Sequence, residues 1–222
     1  MRSLFSNGSR GNGRRDGMYD SKRYALINHW DKRHMVTVSR FLDPLPTDRI
    51  LEVGCGVGHL TRRLRELGAD AIGIDANPHA AENAVTEGVT TGNAEALDFP
   101  DDSFDKIVSL HAIEHIPHIE AALSEMARVL RPGGKALLVY PAEPIQGIWA
   151  VPTAIVLHRN PFKAREVHCH WLWPSKVRTL AAPHGFTEDR SEFMLLSSPQ
   201  FVSLFSLAAR SGDSPSTCEA NG

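Results

Sequence analysis

The chain has 222 residues, 42% of them hydrophobic and 23% charged, with a formal net charge of −2. That length holds one domain with a proper core, and the composition is ordinary for a soluble globular protein. The near-neutral balance gives nothing that would draw nucleic acid, and no apolar run approaches the roughly 18 residues of a membrane span.

Residues 1–17 are rich in Gly, Ser, Asn and Arg, and Arg2, Arg10, Arg14 and Arg15 precede the first acid, Asp16. Such a stretch cannot bury enough apolar surface to fold, so a disordered basic tail is expected. No signal-peptide core is present at the N-terminus. Three widely spaced cysteines, Cys55, Cys169 and Cys218, suit a reducing compartment, and a cytoplasmic location is expected. From Tyr19 to Leu42 apolar residues recur three apart in two groups (Tyr24, Ile27, Trp30, then Met35, Val38, Phe41), which predicts helix in one or two pieces. Asp43-Pro44-Leu45-Pro46 ends it.

Arg49 to Val53 reads as a buried strand. Gly54, Gly56 and Gly58 then bend the chain into a helix marked by Leu60, Leu64 and Leu67. Glycines there let a ligand lie against the backbone. The spacing is G-x-G-x-G and not the dinucleotide G-x-G-x-x-G. Glu52 beside the loop would repel a pyrophosphate and suit a cationic amine. No Gly-Lys-Ser/Thr follows, which excludes a P-loop. A second strand runs from Ala69 to Asp75, and the carboxylate at its end can take both hydroxyls of a ribose. A nucleoside ligand follows from that, though NAD sites share the feature. Val89 to Gly92 is a third short strand, leading into Asn93-Ala94-Glu95 and the Phe104-Asp105 pair.

Asp105 to Leu110 is the predicted fourth strand, followed by His111-Ala112-Ile113-Glu114-His115-Ile116-Pro117-His118. His111-x-x-Glu114-His115 matches a zinc-protease motif in form. That chemistry needs one helix face and a third ligand, and Pro117 interrupts the stretch, so no metal is expected. The residues instead stand beyond a strand end, where ligands of doubly wound sheets bind, and a neutral histidine there can act as general base. Ile119 to Leu130 is an amphipathic helix, Arg131-Pro132-Gly133-Gly134 a turn, and Lys135 to Tyr140 a fifth strand.

Taken in order, the glycine loop after Glu52, Asp75, Asn93-Ala94, Phe104-Asp105 and the Pro132-Gly133-Gly134 turn resemble the class I S-adenosylmethionine (SAM) methyltransferases. The likeness is greatest to the group holding the ubiquinone/menaquinone-type and many small-molecule enzymes. The resemblance implies an α/β, Rossmann-like doubly wound seven-stranded sheet, mostly parallel with a final antiparallel strand. It implies methyl transfer from SAM, leaving S-adenosylhomocysteine, to a small-molecule acceptor. Glu52 would organise the methionine end of the cofactor, with Gly54, Cys55, Gly56 and Gly58 flanking it. Asp75 and Ala76 would meet the ribose, Asn93 and Ala94 the adenine, and Leu110 and His111 the remaining edge. The family usually has Asp at the place of Asn93, so this contact would be uncharged. His111, His115 and His170 are the candidate bases.

The last third departs from the strand–helix rhythm. Residues 141–170 are apolar (Ile145, Ile148, Trp149, Ile155, Val156) and punctuated by prolines, and a lid or substrate insertion is expected. An apolar lid fits a lipid-like acceptor, and with it a peripheral membrane contact. In His168-Cys169-His170 only the two histidines share a strand face, and either suits the acceptor side. Ser175 to His184 is a helix, Phe186 to Phe193 and Phe201 to Ala209 are closing antiparallel strands, and 211–222 is a polar tail. One methyltransferase domain over 18–210 is the result. Two other readings remain at this point, a non-catalytic SAM-fold binding protein and an NAD-type oxidoreductase. The second is disfavoured by Glu52 and the glycine spacing. Nothing in the chain sets an oligomeric state.

Overall fold

The computed structural model describes residues 32–196 and 198–209. The expected tails at 1–17 and 211–222, and the early helix with Tyr19, Tyr24 and Trp30, lie outside the described residues. Helix α1 (Lys32–Leu42) turns His34, Thr37, Val38, Phe41 and Leu42 inward, a stripe of three- and four-residue steps. Strand β1 (Arg49–Val53), helix α2 (His59–Glu66) and strand β2 (Asp70–Asp75) follow, then α3 (Pro78–Glu82) and β3 (Val89–Thr91). Strand β4 (Phe104–Leu110) leads through a short 3-10 turn at Ile113–His115 to α4 (Ile119–Val129) and β5 (Leu130–Pro141). After the segment carrying α5 (Val151–His158) and α6 (Ala164–Val167) come α7 (Pro174–Ala181), β6 (Phe186–Leu195) and β7 (Pro199–Leu207).

The seven strands form one sheet in the order β3-β2-β1-β4-β5-β7-β6. Strands β1 to β5 pair in parallel. Strand β7 enters between β5 and β6, antiparallel to both. This is the expected sheet, mostly parallel with a final antiparallel strand: only β7 is reversed, because its antiparallel pairing on both sides makes β6 run with β5. One feature differs from the expected elements. The Pro132-Gly133-Gly134 turn lies inside β5. Phe104 pairs with Leu130 and Lys106 with Lys135, so the intervening residues bulge out of the ladder without ending it.

Each face of the sheet is covered by its own apolar layer. Leu51, Val53, Ile107, Leu138 and Phe205 pack with Leu123, Met126 and Val177 of α4 and α7. Ile50, Val108, Leu137, Val139 and Val202 pack with α1 and α2 on the other. Ala150, Ala154, Ala164 and Val167 form a third cluster that belongs to neither. The 141–170 segment thus has a small apolar cluster of its own.

Candidate active site

The parallel strands end together, and the sequence-predicted residues stand at those ends. Gly54, Gly56 and Gly58 all have positive φ, at 77°, 52° and 85°. At Gly54 the space is closed as well, since a Cβ there would stand 2.2 Å from Cβ of Ala112. The loop after β1 therefore lies against the loop after β4 with no room for a side chain. The N–H groups of Gly54 and Cys55 both donate to the Ile74 carbonyl, at 2.8 and 2.9 Å, which fixes the loop over β2.

Asp75 closes β2. Its Oδ2 accepts the Gly56 N–H and its Oδ1 the Asn77 N–H, each at 2.8 Å. Burial pushes its pKa up, against the lowering effect of those two donors. Each oxygen keeps a lone pair for a ligand hydroxyl. Glu52 lies beneath the loop, 4% exposed, and accepts the Thr61 hydroxyl at 2.5 Å. Burial raises its pKa to about 7, against the Thr61 hydrogen bonds and with a small push from Asp75. Cys55 is buried, and burial raises its thiol pKa well above the usual range. Its Sγ contacts the Gly56 carbonyl at 3.3 Å. Ala76 is exposed at the end of β2. Asn93 follows β3 and is exposed. Its Oδ1 accepts the Glu95 N–H at 2.9 Å, and Ala94 beside it is half-buried.

At the end of β4, Leu110 is half-buried and His111 has φ of 51°. The His111 N–H donates to the Val139 carbonyl of β5 at 2.8 Å. Its ring Nε2 meets Gln200 Oε1 at 2.8 Å, and its Nδ1 lies 3.7 Å from Glu114 Oε1. The ring also stands 5.7 Å, centroid to centroid, from that of His34 on α1. Burial alone would lower the His111 pKa; the hydrogen bond and charge of Glu114 outweigh it, and the pKa rises. Glu114 is 1% exposed. Burial would raise its pKa, but the His111 hydrogen bond and the charges of His115, His111 and His168 hold it at about 2. His115 is lowered by burial. The pair is therefore a carboxylate beside an imidazole whose protonation it favours.

The two histidines of His168-Cys169-His170 do not converge. The segment is extended but follows α6 and pairs with no strand, so strand alternation does not govern it. His168 is buried, and its Nδ1 donates to Glu143 Oε1 at 2.9 Å. His170 Nε2 donates to the carbonyls of Ile116 and Pro117, at 2.8 and 3.2 Å. His115 Nδ1 donates to the Val167 carbonyl at 2.7 Å. His115 and His170 thus tie the 141–170 segment to the loop after β4. The His168–Glu143 pair lies within the segment, where Glu143 also accepts the N–H groups of Gly147 and Trp149. Thr61, Glu143 and Gln200 carry no motif and escape a reading of the sequence. Only the fold brings Gln200 to His111, 89 positions away.

Residues 51–138 match the family described as "Methyltransferase domain". Over these residues, and in its sheet order, the chain is similar to the class I methyltransferases. The domain is 30% identical over 124 residues to a ubiquinone biosynthesis O-methyltransferase of Sinorhizobium medicae, covering 52% of this chain and 50% of that protein. It is 35% identical over 100 residues to a sterol 24-C-methyltransferase of Yarrowia lipolytica, covering 40% of this chain and 26% of that protein. The chain thus spans half or less of the length of these curated relatives. The crystal structure of the YcgJ protein of Bacillus subtilis shares its fold, with a TM-score of 0.60 at 20% identity over 78% of this chain and 97% of that one. Among the described residues no helix of the domain is long and apolar enough to cross a membrane.

Proposed function

We propose that the protein transfers a methyl group from SAM to the hydroxyl of a small, apolar or lipid-like acceptor. One observation carries the reading: Glu52, Asp75, Asn93 and His111 meet at the C-terminal strand ends around a loop whose glycines are required by conformation and space. The cradle fits the cofactor. Asp75 keeps an acceptor site on each oxygen for the ribose hydroxyls, and Asn93 keeps amide capacity for the adenine. Glu52 is a buried carboxylate whose hydrogen bonds come from the uncharged Thr61, and an ammonium beside it would hold it ionised. A pyrophosphate would meet Glu52 and Asp75 as like charges. SAM supplies an activated methyl group when bound. The chain's own task is to bring the acceptor oxygen into line with that methyl, and register of this kind carries much of such catalysis.

Within the site, His111 is the base we assign. Glu114 holds its Nδ1–H, which leaves Nε2 as the working nitrogen, in the manner of a carboxylate-oriented imidazole. Without acceptor, Nε2–H is held by Gln200 Oε1; once that proton is released to solvent, the acceptor hydroxyl would replace Gln200 and pass its own proton to the freed Nε2. His115 and His170 act as latches on the lid in this reading. The lid supports an apolar acceptor: Ile145, Ile148, Trp149 and Phe162 are exposed on it, and Trp171 and Trp173 just after it. A peripheral membrane contact would follow where the acceptor is drawn from a bilayer. The O-methyltransferase and sterol-methyltransferase names of the relatives support both halves of the proposal.

Calorimetric titration with S-adenosylhomocysteine is the test. Wild type should bind with a Kd on the order of micromolar, about −8 kcal/mol, and Asp75→Ala should lose most of it. A folded wild type that binds no S-adenosylhomocysteine would overturn the reading.

A further inference from the structure

The lid and the loop after β4 meet at a second constellation, which shares only Glu114 with the proposed base. Glu114, His115 and His168 each offer a ligand atom, and these atoms lie within 4.8 Å of one another. The sequence motif lacks a third ligand; the fold supplies it from 53 positions further on, as His168. The second shell is also in place. His115 gives its Nδ1–H to the Val167 carbonyl and His168 gives its Nδ1–H to Glu143. In each neutral ring Nε2 then carries the lone pair. Ligand histidines are oriented in this way, by a backbone carbonyl or a carboxylate on the far nitrogen. His115 Nε2 faces Glu114 Oε1 at 3.8 Å, and the two imidazoles stand edge to face with centroids 4.9 Å apart. Glu114 Oε2 is buried with no hydrogen-bond partner among the described residues. A buried carboxylate oxygen without a donor is costly, and a cation would satisfy it.

We propose that Glu114, His115 and His168 bind a divalent transition-metal ion of the zinc class, and that this ion locks the lid onto the sheet. Two imidazoles and one carboxylate suit zinc better than the all-oxygen cations calcium and magnesium. Zinc bonds of about 2.0–2.1 Å in a tetrahedron put ligand atoms roughly 3.3 Å apart, so the cluster would draw in by about an ångström. His168 belongs to the lid, and the contraction would pull the lid down. Three protein ligands leave one position open, beside His111, for water or the acceptor oxygen. The inference stands on the cluster's own geometry and does not depend on the cofactor.

The experiment is a titration of metal-free, full-length protein with Zn(II) by calorimetry and with Co(II) by visible absorption. One equivalent should bind, and cobalt should show the strong bands of a four-coordinate site. His168→Gln and His115→Gln should each lose affinity at least tenfold. Glu143→Gln, which keeps the size of the side chain, should weaken it by roughly 10–100-fold through the second shell. Circular dichroism establishes that each variant is folded. Wild type that takes up no cobalt, or uptake unchanged in both His168→Gln and His115→Gln, would overturn the proposal. S-adenosylhomocysteine titrated into the same metal-free sample separates the two readings. Cofactor binding without metal binding removes the metal site alone, and the converse removes the methyltransferase proposal alone.

Discussion

At the scale of single residues, Glu52 sets a pH dependence that folding and cofactor binding read with opposite sign. Glu52 has a folded pKa of about 7 against 4.5 for the free side chain, with burial the main cause. Below 4.5 it is protonated in both folded and unfolded chains and costs nothing. As pH rises the unfolded chain ionises first, so stability falls, and the loss is complete once pH passes about 7. A shift of this size corresponds to about 3 kcal/mol. A cofactor ammonium reverses the demand, because it needs the ionised form. Affinity for S-adenosylhomocysteine should therefore tighten between pH 6 and 8. Glu52→Gln should flatten that dependence while raising stability to urea at pH 8. Calorimetry across pH and urea midpoints at pH 5 and 8 check both arms. For His111 the expectation is kinetic. His111→Ala should lower kcat by roughly 10²–10⁴-fold, the usual worth of a placed general base, and leave S-adenosylhomocysteine affinity within a few-fold. An equal loss in both would assign His111 to cofactor binding instead.

Elements differed in how far the sequence revealed them. The run from Arg49 to Asp75 was legible because a short apolar run gives way, across three glycines, to a helical spacing of leucines, and each signal is local. Asp75 and Asn93 could be placed for the same reason, since each closes a short strand. Much of the lid could not. Its apolar residues announce a segment of some kind, but its core is four small or branched residues, Ala150, Ala154, Ala164 and Val167, with no period to read. Its organiser, Glu143, acts through main-chain groups that any sequence offers. Gly147 marks the tightest point of the lid. It has φ of 79°, and a Cβ would stand 2.7 Å from the Ala164 carbonyl group. Gly147→Ala should displace α6 and with it His168. The expected result is an increase in acceptor KM of tenfold or more with S-adenosylhomocysteine affinity unchanged, and faster proteolysis within 141–170. Unchanged KM would mean that the lid does not close on the acceptor.

For the whole molecule, the decisive step is the insertion of β7 between β5 and β6, which no local pattern in the sequence specifies. Its first turn of chain brings Gln200 to His111, and its middle joins the sheet edge through a buried polar chain. Tyr140 on β5 meets Ser203 on β7 at 2.9 Å, and Ser203 meets Ser191 on β6 at 2.9 Å. Tyr140 and Ser203 are both fully buried, and burial raises the Tyr140 pKa despite the Ser203 hydrogen bond. Ser203 is the shared partner, so the two ends of the chain are unequal to remove. Tyr140→Phe deletes one hydroxyl and leaves Ser203 paired with Ser191, a loss of about 1 kcal/mol. Ser203→Ala takes the partner from both neighbours at once, and the buried Tyr140 hydroxyl then bears a desolvation cost of roughly 1–3 kcal/mol. In the double variant that hydroxyl is gone, so the combined loss should be less than the sum of the two. Urea unfolding of the four proteins measures this directly. Strict additivity would mean that β5, β7 and β6 are held by their ladders alone, and that the hydroxyl chain contributes nothing to the choice of β7 as the central strand of the closing trio.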